Sequence, residues 1–395
     1  MTTKDHERGI DLTGVVVLGA TGSVGETTLR VLERHSDRFR VVGLAAGRRV
    51  KRLAEQIAKW RPLAVSVARE EDAAFLRREF KGVDVYSGPD GPVRLAEHPQ
   101  AGTVVAAIVG SQGLRSTFRA VELGRRVALA NKETLVMAGR LVFEAARRSG
   151  AELLPVDSEH CAIFQCLQGE NSASVRRLIL TASGGALRDF PVEAIPNATV
   201  EQVLCHPTWK MGRKITVDSA TMMNKGLEII EAHHLFHVPL DRIEVLLHPQ
   251  SVVHSMVEFN DGSLIAQMAS PDMALPVQFA LTYPERISGL LAPLDLAKAP
   301  PMTFAEASAG RYPCLALARE AASSSESHAI ALNAANEVAV QAFLDGRLRF
   351  GDIATLVRSV LDETEPSAPA NLEEVLQLDL AARRQAQRRL SQIEE

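Results

Sequence analysis

The sequence predicts an α/β protein in which a Rossmann-like, doubly wound parallel sheet comes first, an α+β region follows, and a helical region ends the chain. Three observations predict this order. Within the first 157 residues, apolar runs of strand length alternate with amphipathic segments of helix length, the pattern of βαβ units on a parallel sheet. After Asp157 the alternation stops, and strand-like runs flank a hairpin signal. Beyond residue 313 only helical patterns remain.

Composition narrows the class of protein. The chain has 395 residues, of which 46% are apolar and 23% charged, and a formal net charge of −4. This length predicts two or three domains, at about 150 residues each. The absence of a basic surplus argues against a nucleic-acid partner, and no apolar run approaches the roughly 18 residues that a membrane span needs. Four cysteines without a CxxC pair, and an N-terminus without the apolar core of a secretory signal, favour a cytoplasmic enzyme.

The first region, residues 1–156, is predicted to form one domain with right-handed crossovers between its parallel strands. Its predicted strands are Val15–Leu18, Val41–Ala45, Ala64–Val67, Val83–Tyr86, Val104–Val109, Val127–Ala130 and Leu153–Val156. Its predicted helices include Val50–Trp60, Asp72–Phe80, Leu114–Leu123 and Thr134–Arg148.

The remainder is predicted as an α+β domain of residues 157–283, a proline-rich connector of residues 284–313 and a helical domain of residues 314–395. The second domain contains one long predicted helix from Ala220 to His237. Its predicted strands are Val175–Leu180, Ile243–Leu247, and a hairpin of Val252–Phe259 and Leu264–Met268 around the turn Asn260–Ser263. The predicted helices of the tail are Leu315–Ala322, Ala329–Leu344, Asp352–Leu361 and Leu372–Ile393.

A glycine-rich turn, Gly19-Ala20-Thr21-Gly22-Ser23-Val24-Gly25, follows the first strand and precedes a helix. Such a turn lets a pyrophosphate approach the backbone and the free N–H groups of the helix. The spacing is GxxGxxG rather than GxGxxG, and a purely structural turn is the alternative. The second strand runs into Gly47-Arg48-Arg49, where NAD enzymes usually carry a carboxylate. Two guanidinium groups there predict NADPH; alternatively, they are solvated at the start of a helix.

Two polar clusters follow strands whose carboxyl ends share the rim of the sheet. One is Asn131-Lys132-Glu133 and the other is Asp157-Ser158-Glu159-His160. If the chain stays extended, Asp157 and Glu159 point to one side and suit a hard cation such as Mg²⁺ or Mn²⁺. An equally favoured alternative is a helix N-cap followed by an acidic first turn.

Residues 206–214 are basic, contain Trp209 and are bracketed by proline and glycine. They fit a mobile lid that excludes water, or equally a surface loop with Trp209 anchored in the core. The small turn Ser183-Gly184-Gly185 follows a strand and is able to contact phosphate oxygens.

Residues 218–228 offer a second set of ligands. Ser219 is expected near a helix N-terminus, which favours anions. Asn224 and Glu228 are spaced i, i+4 on one helical face beside Lys225. A phosphate on Ser219, Asn224 and Lys225, with Glu228 on a metal, is one interpretation, and a solvated Lys–Glu pair is the other.

Five further histidines are not assigned to catalysis. His233 and His237 are spaced i, i+4, but no HExxH motif accompanies them, so these two and His234 are predicted to be hydrated surface residues. His248 and His254 are expected to pack near the second sheet.

The glycine-rich turn and the polar segments described above, taken in their order along the chain, resemble those of the 1-deoxy-D-xylulose 5-phosphate reductoisomerase family. The resemblance covers nearly the whole chain and is most specific from Met211 to Glu228. It extends to residues 248–251 and, in the helical tail, to Leu332-Asn333-Ala334-Ala335-Asn336-Glu337. Departures from the usual pattern occur at Thr208, at Cys161 and at Arg48-Arg49, and none of them removes a proposed ligand.

The resemblance implies a V-shaped homodimer with an NADPH domain, a catalytic and dimerisation domain, and a helical domain. It also implies roles for residues of this chain. Those implied to hold Mg²⁺, Mn²⁺ or Co²⁺ and, with Lys132, to be catalytic are Asp157, Glu159 and Glu228. Those implied to bind the substrate are Lys132, Ser158, Glu159, Ser183, His206, Ser219, Asn224, Lys225 and Glu228. Those implied to bind NADPH are Thr21, Gly22, Ser23, Val24, Gly47, Arg48, Arg49, Asn131, Glu133 and Gly212. Those implied to form the lid are His206, Trp209 and Met211.

The activity that this resemblance implies is a metal-dependent isomerisation and NADPH-dependent reduction of 1-deoxy-D-xylulose 5-phosphate, a small phosphorylated sugar. The product is 2-C-methyl-D-erythritol 4-phosphate, in non-mevalonate isoprenoid synthesis. Two alternatives are an NADP-dependent homoserine or semialdehyde dehydrogenase and a non-catalytic NADP(H) sensor. Neither alternative explains why acidic and phosphate-binding clusters occur together.

Overall fold

The computed structural model describes residues 12–209, 211–308 and 310–394. The N-terminal segment that was expected to lack a secretory signal lies almost wholly outside the described residues, as does Lys210 of the predicted lid. Within the described ranges we find no helix with both the length and the apolar character that crossing a bilayer requires.

Seven parallel strands form the first sheet, and each matches a predicted run. They are β1 (Thr13–Leu18), β2 (Phe39–Ala45), β3 (Ala64–Val67), β4 (Asp84–Ser87), β5 (Thr103–Ala106), β6 (Arg126–Leu129) and β7 (Glu152–Pro155). Their spatial order is β4-β3-β2-β1-β5-β6-β7. The predicted doubly wound fold is therefore confirmed. The fifth strand ends at Ala106 rather than at Val109, which is 64% exposed beyond it.

Helices cover both faces of this sheet. They are α1 (Ser23–Arg34), α2 (Val50–Trp60), α3 (Glu70–Glu79), α4 (Gly91–Ala96), α5 (Leu114–Glu122) and α6 (Glu133–Ser149). Successive residues of β1 enter two different cores: Val15 and Val17 pack with α1 and α2, and Val16 and Leu18 pack with α4, α5 and α6. Burial on both faces explains why the strands are continuous apolar runs rather than alternating ones.

The strand order reverses between β1 and β5, which opens a crevice at the carboxyl ends of these strands. The glycine-rich turn lies there, immediately after β1. Gly19 has a φ of 89°, and a Cβ at this position would lie 2.4 Å from the carbonyl oxygen of Ala107. Glycine is thus required for the turn to pass so close to the end of β5.

The second sheet has the order β11-β10-β8-β9-β12. Its strands are β8 (Val175–Ala182), β9 (Ile243–Leu247), β10 (Val253–Phe259), β11 (Leu264–Met268) and β12 (Ala305–Glu306). The predicted hairpin is confirmed as the antiparallel pair β10 and β11, and β8 runs parallel to β9. A helix that follows the first sheet, α7 (Ser158–Cys166), packs on β10 and β11.

The predicted helix from Ala220 to His237 is wrong at its start. The chain forms α8 (Val200–Leu204), then α9 (Arg213–Thr221), and then α10 (Met223–Phe236). Met222 separates α9 from α10 because its φ is 60°, a left-handed conformation that helices do not contain. Part of the predicted lid segment, from Arg213 onward, is therefore helical.

Helix α11 (Ala274–Thr282) was not predicted, and it packs against α1, β6 and β7 of the first sheet. Eight of its nine residues are buried. A helix buried all round has no amphipathic period, which is the signal that sequence patterns use. After it, residues 284–304 contain no helix or strand, and β12, which pairs with β9, lies within the predicted connector of residues 284–313.

The four predicted helices of the tail are confirmed. They are α12 (Pro313–Ser324), α13 (Glu326–Leu344), α14 (Asp352–Leu361) and α15 (Leu372–Glu394). Their apolar residues share one core with α9 and α10: Leu332 and Ala318 pack in the same cluster as Val217 and Leu227. The helices of the tail thus pack against α9 and α10 of the second region.

The histidine triplet is less hydrated than expected. His237 is exposed, but His233 and His234 are partly buried. The ring of His234 lies over Gly139 of α6, where a Cβ would come within 2.4 Å of it. Burial, and then the nearby His233 and His237, lower the pKa of His234 to about 4. His248 and His254 are buried beside the second sheet, as predicted.

The shared core makes a prediction about stability. Leu332 is completely buried, so Leu332→Ala should lower the free energy of unfolding by about 2–5 kcal/mol. Urea unfolding followed by circular dichroism measures the change. Leu380→Ala, at a position that is 44% exposed, is the matched control and should change it by less than about 0.5 kcal/mol. Equal effects of the two variants would contradict the shared core.

Candidate active site

A cavity of about 600 Å³ lies between the glycine-rich turn, the ends of β6 and β7, the second sheet and helices α9 and α10. It collects most of the residues that the sequence singled out. Gly47 and Arg48 do not line it, although the neighbouring Arg49 does. The predicted residues that line it are Thr21, Gly22, Ser23, Val24, Arg49, Asn131, Lys132, Glu133, Asp157, Ser158, Glu159, Ser183, His206, Trp209, Met211, Gly212, Ser219, Asn224, Lys225 and Glu228.

Three carboxylates meet in this cavity. Each of Asp157, Glu159 and Glu228 contributes an oxygen, and these oxygens lie within 4.8 Å of one another. Asp157 precedes α7, Glu159 is in its first turn, and Glu228 projects from α10. The local structure is therefore the helix start and not the extended chain. The carboxylates still converge, because α7 and α10 lie side by side.

Two lysines offset two of the three negative charges of the carboxylate triad. Lys132 forms ion pairs with Asp157 and with Glu228, the latter at 2.9 Å. Lys225 pairs with Glu159 at 2.7 Å and also with Glu228. Burial alone would lower the pKa of each lysine, but the surrounding carboxylates outweigh it and raise both pKa values. The side chains of Lys225 and Glu228 are 3% and 1% exposed, so the solvated Lys–Glu pair is wrong.

The donor set fits a hard divalent cation, because three carboxylates supply only oxygen ligands. A fourth acid, Glu231, lies one helical turn beyond Glu228 and was missed in the sequence. It is completely buried, and desolvation, followed by the charge of Asp157, raises its pKa well above the usual range. The Nδ1 atom of His160 is 3.3 Å from its carboxylate, and Nε2 of the same ring donates to the carbonyl of Glu228 at 2.9 Å. The i, i+3 spacing of the two glutamates was the available signal.

Ser183 and His206 form a second group of polar contacts. The Nδ1 atom of His206 accepts hydrogen bonds from the backbone N–H groups of Thr208 and Trp209, at 3.1 Å and 2.9 Å. The ring proton therefore lies on Nε2, which donates to Ser183 Oγ at 2.9 Å. Burial, and then the charge of Arg188, lower the pKa of His206, which favours this neutral form.

The expected position of Ser219 is wrong. It lies in the last turn of α9 rather than at a helix N-terminus, because the chain breaks only at Met222. It still lines the cavity, and the turn at Gly185 packs against its backbone. Gly185 has a φ of 72°, and a Cβ there would lie 2.6 Å from the carbonyl oxygen of Ser219.

The cofactor side of the cavity is built around the glycine-rich turn. A guanidinium N–H of Arg49 donates to the carbonyl of Thr21 at 3.0 Å, which joins the end of β2 to this turn. A Cβ on Gly25 would lie 2.3 Å from the carbonyl oxygen of Gly19, so helix α1 starts directly against the turn. Thr21, Gly22, Ser23 and Val24 line the cavity, so the turn and the start of α1 face it, as a pyrophosphate requires.

Residues 206–209 and 211–212 of the predicted lid contain no helix or strand, whereas Arg213 and Lys214 belong to the start of α9. Trp209 is partly buried, and its ring centroid lies 6.3 Å from that of His254, which also lines the cavity. Movement of this segment remains a prediction.

Family models match most of the chain. Residues 15–139 match the model described as 1-deoxy-D-xylulose 5-phosphate reductoisomerase, and residues 153–236 match the model of its C-terminal domain. Residues 268–385 match a further model, described as the DXP reductoisomerase C-terminal domain.

Relatives are similar over nearly their full length. The 1-deoxy-D-xylulose 5-phosphate reductoisomerase of Ralstonia nicotianae is 49% identical over 380 residues, which cover 94% of this chain and 97% of that protein. A crystal structure of DOX-P reductoisomerase with NADPH, fosmidomycin and magnesium has a TM-score of 0.93 at 40% identity, covering 97% of this chain and 100% of the other. The Zymomonas mobilis enzyme in complex with NADPH has a TM-score of 0.89 at 44% identity, covering 96% and 99%.

The hydrogen bonds of His206 predict a pH-dependent loop. Protonation of Nδ1 removes the acceptor for the N–H groups of Thr208 and Trp209. Because folding lowers the pKa of His206, the ordered loop is favoured above the unfolded pKa of about 6.5 and is lost as the pH falls through the lower, folded value. In a Trp60→Phe background Trp209 is the single tryptophan, and its emission should shift to the red below pH 6.5.

His206→Asn in the same background is the control, because it keeps a side-chain acceptor near Nδ1 but cannot titrate. Its emission should not change over this pH range. A red shift of the same size in both proteins would show that another group controls the loop.

Proposed function

The chain belongs to the 1-deoxy-D-xylulose 5-phosphate reductoisomerase family, and on that premise we propose how its residues carry out the reaction. The enzyme converts 1-deoxy-D-xylulose 5-phosphate to 2-C-methyl-D-erythritol 4-phosphate for isoprenoid synthesis, using NADPH and a divalent metal ion. The observation that carries the proposal is the meeting of three carboxylates in the same cavity as the glycine-rich turn.

In this proposal Asp157, Glu159 and Glu228 hold Mg²⁺, Mn²⁺ or Co²⁺, and the glycine-rich turn holds the pyrophosphate of NADPH. When bound, the metal ion supplies Lewis-acid stabilisation of the oxyanion that develops during rearrangement, and NADPH supplies the hydride for the reduction. The high-pKa ammonium of Lys132 stays protonated and adds positive charge beside the substrate oxygens.

The phosphate end of the substrate is assigned to Ser183, Ser219, Asn224 and Lys225. Lys225 supplies a buried positive charge, and the hydroxyl and amide groups supply donors for phosphate oxygens. Lys225 also pairs with Glu159 of the metal site. A phosphate bound at Lys225 therefore orients the substrate so that its other end lies toward the metal site.

The carbon backbone of the substrate is assigned to Ser158, Lys132 and His206. His206 presents its Nε2–H toward Ser183, and its own loop carries the lid residues Trp209 and Met211. Closure of the lid over the bound phosphate excludes water from the reacting carbons.

The NADPH contacts are assigned to Thr21–Val24, Gly47–Arg49, Asn131, Glu133 and Gly212. Residues 1–156 form the NADPH domain in this proposal, residues 157–283 the catalytic and dimerisation domain, residues 284–313 the connector and residues 314–395 the helical domain. The four cysteines are free thiols, which suits a reducing compartment such as the cytoplasm.

The enzyme is proposed to act as a homodimer. The edge strand β11 exposes Leu264 and Ile265, and the connector exposes Leu296, Met302 and Phe304. An apolar sheet edge in water invites pairing with another chain. A second copy that pairs at the edge strand β11 covers Leu264 and Ile265 with the same residues, as a two-fold interface requires.

The test of the activity is loss of NADPH absorbance when 1-deoxy-D-xylulose 5-phosphate is added, with and without Mg²⁺. Asp157→Asn should lower kcat at least about 100-fold, because it removes a metal ligand, while NADPH binding stays within a factor of about three. Asp241→Asn, an exposed acid away from the cavity, is the control and should keep full activity. Turnover that survives a chelator, or equal loss of cofactor binding in Asp157→Asn, would contradict the metal assignment.

The two guanidinium groups after β2 predict the choice of cofactor. Replacing both, in Arg48→Ser with Arg49→Ser, should raise the KM for NADPH about 10- to 100-fold by removing charge-assisted contacts to the 2′-phosphate. The KM for NADH should rise much less, because NADH loses only the support that Arg49 gives the glycine-rich turn through Thr21. Arg30→Ser, an exposed arginine of α1, is the matched control. A wild-type enzyme that uses NADH as well as NADPH would refute the assignment.

A further inference from the structure

Helix α13 of the tail buries polar side chains that the reaction does not use. Asn333 and Asn336 are completely buried, and Glu337 follows them on the same helix. Buried amides in a helix that packs mainly through apolar residues need partners, since an unpaired polar group is costly. The partner of Asn336 lies in α9, while Glu337 bonds Asn333 and Arg383 within the tail and also the backbone of Ser111 in the first region.

The first path from α13 runs through Asp218 and Lys214 of α9. The amide of Asn336 donates to one oxygen of Asp218 at 2.8 Å, and the other oxygen accepts from Lys214 Nζ at 2.8 Å. Lys214 also donates to Glu133 Oε1 at 3.1 Å. The second oxygen of Glu133 accepts from the amide of Asn131 at 2.9 Å. These contacts connect the tail without a break to the rim of the NADPH-binding side.

The second path reaches the same asparagine from the other side. Glu337 Oε1 accepts from the backbone N–H of Ser111 at 3.1 Å, beside Gly110, whose φ is 74°. A Cβ on Gly110 would lie 2.7 Å from that oxygen, so the turn is seated directly on Glu337. The amide of Asn131 donates to the carbonyl of Gly110 at 3.1 Å. Asn131 is therefore held between two paths that both begin on α13.

The charges along the first path make its geometry depend on the hydrogen bond from Asn336. One ammonium, Lys214, serves two buried carboxylates, Asp218 and Glu133. Burial alone would lower the pKa of Lys214, but Asp218 and Glu133 outweigh it and raise that pKa, so the side chain stays charged. Asp218 is 1% exposed, so water does not replace a lost donor. Without the amide of Asn336, Asp218 has Lys214 as its remaining side-chain partner and draws the ammonium away from Glu133.

We propose that Asn336 is a positioning residue for NADPH binding, which acts through Asp218 and Lys214 to hold Glu133 and Asn131 at the cofactor. Asn336 does not line the cavity, whereas the other four residues do. A residue of the helical tail thereby sets the affinity of a site on the first sheet. The inference rests on the proposed assignment of Asn131 and Glu133 to NADPH.

The experiment measures the NADPH dissociation constant of the full-length protein by fluorescence titration, together with kcat at saturating NADPH. Asn336→Ala should raise the dissociation constant about tenfold, because a displaced Glu133 loses about one charge-assisted hydrogen bond to the cofactor. The value of kcat should stay within a factor of about three, because the metal and phosphate contacts are intact. In a Lys214→Met background, which itself weakens binding, Asn336→Ala should have no further effect.

Two controls separate positioning from a general loss of structure. Leu332→Ala destabilises the same helix without touching either path and should keep the wild-type dissociation constant. Gln341→Ala removes an exposed polar side chain of α13 that bonds Asp345 and should also keep it. If Asn336→Ala does not fold, Lys214→Met alone still tests the path, and unchanged NADPH binding in that variant overturns it.

Wild-type affinity in Asn336→Ala, or an equal further loss in the Lys214→Met background, would also overturn the inference. A wild-type protein that fails to bind NADPH would instead contradict the proposed function. The two failures are therefore distinguishable.

Discussion

The structure depends on keeping three carboxylates together at the junction of α7 and α10. Carboxylates whose oxygens lie within 4.8 Å of one another repel strongly in a buried site, and they stay there only with compensating positive charge. Lys132 arrives from the end of β6, and Lys225 from α10 itself. The parallel sheet, the second sheet and the tail core together hold the two helices in place, so that the lysines stay beside the carboxylates.

The fold was largely predictable because most strands of the first sheet are buried on both faces. Such strands are short continuous apolar runs, and each of the seven in the first sheet was recognised, as were the hairpin of β10 and β11 and the four tail helices. Two of the missed features lack a local signal, although the unpredicted helix α8 carries a capping box formed by Thr199 and Gln202. Helix α11 is apolar on all sides. Methionine is not a residue type that predicts a left-handed backbone, so the break at Met222 between α9 and α10 could not be recognised.

The candidate site was predictable as a set of residues but not as a geometry. Motif order brought Asp157, Glu159 and Glu228 into one hypothesis, whereas the extended chain assumed for the first two is in fact the start of α7. The error in Ser219 follows from the break at Met222. Contacts such as that of Asn336 with Asp218 join residues more than one hundred positions apart, so no spacing rule reveals them.

The shared core of the tail with α9 and α10 has a consequence for biosynthesis. A nascent polypeptide emerging from the ribosome completes its first sheet early, since that sheet uses local βαβ units. The apolar faces of α9 and α10, however, stay uncovered until Leu332 and its neighbours have been translated. Until then the growing chain exposes apolar surface, and molecular chaperones have the greatest opportunity to bind it during that interval.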